Sequence, residues 1–134
     1  MTAMENEMLF IEQQLLQVQQ LQEHLWGFPN EQQALTAAET LLDDLLVQFP
    51  ENTWVLTVMG AVLCDNGRHD DALIPLRKAE SIGSTDQNLY RNIGIALMNT
   101  PDKNQREARQ YFEKAQRLQS HPLTIVAYFD PIGY

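Results

Sequence analysis

NTWVLTVMGAVLCDNGRHDDALIPLRKAES, residues 52–81, reads as two short helices joined by a tight turn. In the first, Leu56, Met59, Gly60 and Leu63 fall on one face at helical spacing, and Val55, Val58 and Val62 add a second apolar strip. Asn66-Gly67 ends it, because both residue types accept the left-handed conformation that closes a helix. In the second, Ala72, Leu73, Leu76 and Ala79 form another apolar stripe, entered through His69-Asp70-Asp71. Acids in a first turn are favoured by the positive end of the helix dipole. Two apolar stripes joined by so short a turn bury themselves by packing antiparallel, so the stretch is a helical hairpin.

The hairpin recurs. Gly60 returns 34 residues later as Gly94, and Leu56, Met59 and Leu63 return as Tyr90, Ile93 and Leu97. Ala72, Leu76 and Ala79 have counterparts 34 residues earlier in Ala38, Leu42 and Leu45, and 36 later in Ala108, Phe112 and Ala115. The two extra residues fall in the turn Asn99–Asn104, where insertion costs little. This spacing resembles the tetratricopeptide (TPR) family, in which large, Gly, large, Ala, aromatic or Leu, and Ala positions repeat on a period of 34. Pro50 takes the closing proline of the first unit, while Ser84 and Ser120 replace it later. The resemblance implies an all-α fold, a right-handed superhelix of three antiparallel helix pairs over residues 1–119, with pairs at about 4–49, 52–82 and 85–119.

The remaining segments fit that frame unevenly. From about Met4 to Trp26, Met8, Ile11, Leu15, Val18 and Leu25 make an apolar stripe supported by Leu21, opposite Gln13, Gln14, Gln17 and Gln20. In one register Gln22 stands where the later units have glycine, which predicts looser packing. The stripe suits either an end helix on its own domain or a coiled coil with a second chain. Gly27-Phe28-Pro29-Asn30 breaks the chain, and Asn30 can cap a helix running to about Gln48 along Ala34, Leu35, Ala38, Leu41, Leu42, Leu45 and Leu46. Pro75, in the second turn of its helix, predicts a bend, with a hinge as the alternative. Residues 120–134 carry the apolar run LTIVAYF between prolines and read as an extended tail. It folds back as an end cap, pairs with a second chain as a strand, or binds a partner.

Composition narrows the function classes. A net charge of −9 and an isoelectric point near 4.6 argue against nucleic acid and anionic membranes, which need a basic stripe. No apolar run approaches membrane-spanning length, and MTAMENEMLF lacks the basic start of a secretion signal, so membrane insertion is not expected. One cysteine, Cys64, precludes an internal disulfide and fits a reducing, cytoplasmic setting. His24, His69 and His121 never approach ligand spacing, and Cys64 and His69 read as a buried thiol and a surface imidazole. Neighbouring residues on a helix point about 100° apart, so Asp43-Asp44 and Asp70-Asp71 make poor acid/base dyads. No phosphate loop, nucleophile elbow or zinc-helix motif occurs, so neither cofactor nor catalysis is expected. An enzyme would need a constellation assembled only in space.

The TPR resemblance implies a concave groove lined by the first helix of each pair. It assigns to that groove Leu16, Gln19, Glu23 and Trp26 in the first unit, Trp54, Thr57, Ala61 and Cys64 in the second, and Asn88, Arg91, Ile95 and Met98 in the third. Small Thr57 and Ala61 would form a trough between apolar walls, with Arg91 and Asn92 as donors, although core packing explains Trp54 and Met98 equally well. Some family members clamp a partner's C-terminal carboxylate with cations. Gln19, Glu23, Ala61 and Ile95 stand where those would be, so that use is not expected. The chain then reads as a protein-binding module holding an extended segment of another protein. In small size and acidity it resembles the TPR chaperones of bacterial type III secretion. A subunit self-associating through its first helix or its tail is the second reading.

Overall fold

The structure, a computed structural model, describes residues 2–23, 31–101 and 104–124, apart from the side chains of Gln22, Glu23 and Glu31. It is all-helical over these residues, with no strand among them. Six helices follow in order: α1 (Ala3–Glu23), α2 (Glu31–Gln48), α3 (Thr53–Asp65), α4 (His69–Ile82), α5 (Gln87–Asn99) and α6 (Gln105–Gln116). Each packs against the next with the exception of α6, and α3 also touches α5. Trp26, His24, Asn30 and the side chain of Gln22 lie outside the described residues, and with them the expected cap and the looser packing of the first pair.

Helix α3 is the centre. Every residue from Val55 to Cys64 is buried, because α2, α4 and α5 cover it on three sides. A helix apolar all round has no wet face to keep polar. Asn52 starts it by accepting the Val55 N–H at 3.0 Å. At its other end only Gly67 adopts a left-handed conformation, at φ 77°, whereas Asn66 stays at φ −84°. The helix ends at Asn66-Gly67 as expected, and one left-handed glycine suffices to reverse the chain. Gly83, at φ 105°, closes α4 in the same way. Helix α4 continues unbroken through Pro75, which is buried against the core.

The two glycines singled out by their spacing make equivalent contacts. A Cβ on Gly60 would lie inside the side chain of Leu76, and one on Gly94 would meet the ring of Phe112 at 2.8 Å. Leu76 and Phe112 are the counterparts named from the 36-residue repeat, so both hairpins close at the same point. Dropping the side chain lets the helix axes approach until a large residue from the facing helix fills the gap.

In α1 the stripe is turned inward: Ile11, Leu15 and Val18 are buried in the core that includes Leu35, Ala38, Leu42 and Leu45 of α2. Met8, at the same stripe's start, is exposed. Ile11, Leu15 and Val18 are therefore used within the chain, and Leu25 lies outside the described residues.

Candidate protein-binding surface

The residues assigned to a groove divide by exposure. Thr57, Ala61 and Asn88 are fully or almost fully buried, and Asn92 nearly so. The Thr57 hydroxyl donates to Thr53 O at 2.7 Å, and the Asn92 side-chain amide donates to Asn88 O at 2.8 Å. Neither the trough at Thr57 and Ala61 nor the Asn92 donor is open to a ligand, because packing and the helix's own carbonyls have taken them. Trp54, Arg91, Ile95 and Gln19 are half-buried, and Leu16 and Met98 are exposed. On α5, the offsets between Arg91, Ile95 and Met98 set these three side chains along one face. Trp26 and the Glu23 side chain lie outside the described residues.

What covers the near end of this face is the start of the C-terminal segment. The His121 ring stacks on Trp54 with centroids 4.5 Å apart. Four hydrogen bonds tie residues 119–124 to the first turn of α5. Gln87 N–H donates to Gln119 O at 3.0 Å, and the Ser120 hydroxyl to Gln87 Oε1 at 3.1 Å. The Thr124 hydroxyl donates to Asp86 Oδ2 at 2.8 Å, and Asn88 Nδ2 donates to Thr124 Oγ1 at 3.2 Å. Residues 122–124 are helical, and Leu123 and Thr124 are buried, so this part of the tail is not extended as expected. The helical turn lets Leu123 reach the core while Thr124 meets the α5 cap. The apolar run beyond it, 125–134, lies outside the described residues.

Asp86 has two roles in this clasp. Its Oδ1 caps α5 by accepting the Asn88 N–H at 2.9 Å, while Oδ2 holds Thr124. Burial pushes its carboxyl above the usual value of 3.8, against the opposing effect of the hydrogen bonds from Thr124 and Asn88. Nothing in the linear spacing pairs Asp86 with Thr124, 38 residues on. The one sequence signal was Asp86 ahead of a helix, which marks a cap.

Chemically reactive groups are sparse on this surface. Cys64 is a free, buried thiol, and burial, reinforced by Asp65, pushes it up to about 12. Among the described residues no group of three or more His, Cys, Asp or Glu side chains could hold a metal ion. No described helix is long and apolar enough to cross a membrane. Comparison with family models, curated proteins and solved structures returns no match.

Proposed function

We propose that the chain is a non-catalytic protein-binding module of TPR-like design, holding an extended segment of a partner protein against the first helices of its pairs. The observation that carries this reading is the repeated contact of a glycine with a large residue, Gly60 with Leu76 and Gly94 with Phe112. It supports treating α3 and α5 as equivalent members of a stacked series, in which α5 keeps Arg91, Ile95 and Met98 along one accessible face. Arg91, Ile95 and Met98 then offer a donor beside apolar surface, the mixture on which binding hot spots are built. Within this reading the acidity favours a cytoplasmic chaperone or adaptor, including the type III secretion kind.

Co-purification from the native cell followed by mass spectrometry identifies the partner, and calorimetry with that partner tests the face. Met98→Glu and Arg91→Glu are each expected to weaken binding by about tenfold, which is 1.4 kcal/mol. Recovery of no partner, or unchanged affinity in both variants, overturns the reading.

A second reading, a self-associating subunit, is favoured by one feature: Leu9 and Leu16 stand exposed, seven residues apart on the outer face of α1. Against it, α1 carries Glu5, Glu7, Glu12 and Glu23 and no cation, so two copies would meet acid to acid. Sedimentation equilibrium decides. A concentration-independent monomer mass removes this reading, and a dimer lost in Leu9→Glu would establish it.

A further inference from the structure

Two channels run between the second helices of successive pairs, each floored by the first helix between them, and they are finished differently. The channel between α4 and α6 is bridged. Arg77 donates to Glu107 at 2.9 Å and to the Tyr111 hydroxyl at 2.5 Å, and Tyr111 donates to Glu80 at 2.7 Å. The Tyr111 ring also stacks on Tyr90 of α5 below, with centroids 6.1 Å apart. Between α2 and α4, the bridge found among the described residues is Arg68 to Glu39 at 2.7 Å, at the end where α4 begins. Beyond it lies an open groove of about 360 Å³. Leu56, Met59 and Leu63 of α3 floor it, and Leu46 of α2 faces Ile74 and Pro75 of α4 across it.

Two details mark this groove as unfinished by the chain itself. Ile74 is 72% exposed on its rim, although the floor beneath it belongs to the core. Asp43, on the α2 wall, forms no salt bridge among the described residues, and Arg68 acts on it only at longer range. Its neighbours Glu39 and Asp44 add negative charge, and Arg68 is already held by Glu39 and by Asp71 at 3.0 Å.

We propose that this groove docks a segment of a partner protein that lays a large aliphatic or aromatic side chain between Leu46 and Ile74 and sets a Lys or Arg against Asp43. Charge complementarity selects the cation, since Glu39, Asp43 and Asp71 outnumber Arg68 and Lys78 along the lining, and the width left by the missing bridge selects the apolar anchor. A second copy of this chain is a poor occupant. Its net charge of −9 opposes the approach of one copy to another. Entry of a second copy through Arg91, Ile95 and Met98 of α5, where a cation stands beside apolar side chains, would move the Ile95 and Met98 methyl signals.

The test titrates a short amphipathic peptide of Leu and Lys into the full chain, with its Leu/Glu counterpart as control. Fluorescence anisotropy gives the affinity and methyl NMR the location. The Leu/Lys peptide is expected to shift the Met59 and Ile74 methyl signals. Ile74→Asp and Asp43→Lys, both at exposed positions, should each weaken it about tenfold, whereas Glu5→Lys on α1, an equal change of charge, should leave it within about twofold. The proposal is overturned if the Leu/Glu peptide binds equally well or if the Ile95 and Met98 signals move instead. It is also overturned if Glu5→Lys weakens binding as much as Asp43→Lys, which would reduce the effect to bulk charge. The methyl signals separate the two surfaces, because binding in the groove moves Met59 and Ile74 and binding at the Arg91–Met98 face moves Ile95 and Met98.

Discussion

Gly60 and Gly94 occupy the same place in the repeat but are not equally constrained. Alanine gains about 1 kcal/mol over glycine in a helix interior. At Gly60 that gain meets Leu76, which is fully buried and cannot withdraw, so overpacking of about 1–3 kcal/mol or more should dominate. At Gly94 the obstacle is the edge of Phe112, a half-buried ring with room to shift, and the two effects should nearly offset. Thermal melts are expected to show Gly60→Ala clearly destabilised and Gly94→Ala close to the parent; the reverse order would contradict the packing described. Cys64 gives a second check. With its thiol pushed up to about 12, it should react with iodoacetamide slowly in the native protein and at the ordinary rate in denaturant. The same shift means that stability is flat below the unfolded value near 9.0 and falls as pH rises above it.

Between elements, the clasp at the start of α5 and the bridge between α4 and α6 are where polar groups hold helices in place. Asp86 has a folded carboxyl pKa above its unfolded value, so the native state binds the proton more tightly. Stability should therefore decline as pH rises through the window just above 3.8, where the folded protein is still protonated and the unfolded chain is not. Asp86→Asn keeps a capping oxygen and removes that slope, while Asp86→Ala loses the cap and should cost about 1–2 kcal/mol near neutral pH. Urea melts across pH on the three proteins distinguish these outcomes. In the bridge, Tyr111→Phe keeps the stack on Tyr90 but removes the hydroxyl shared by Arg77 and Glu80. Loss of about 1 kcal/mol is expected, since Arg77 retains Glu107 and both carboxylates remain partly in water.

For the molecule as a whole, the tie between α3, α5 and the residues after α6 predicts that the two ends of the chain's second half unfold together. In a Trp26→Phe background, His121→Ala should shift Trp54 emission to the red by uncovering the indole, and should lower the melting temperature only slightly. An unchanged spectrum would mean that the stack does not shield Trp54 in solution.

Periodicity made the helices, the turns and the Gly60 and Gly94 contacts legible before any coordinates, because each rests on side chains a turn or a tight loop apart. Exposure along the assigned groove was not legible. Thr57 and Ala61 look available at their spacing, yet both are fully buried in the folded chain. The Asp86–Thr124 clasp and the open groove beside Asp43 were equally hidden, since they join residues whose distance in sequence carries no pattern. What the chain by itself determined was local: the 3.6-residue period and the left-handed glycine turns follow from neighbouring atoms. Which faces remained wet was decided only by tertiary structure, because burial depends on what every other element covers.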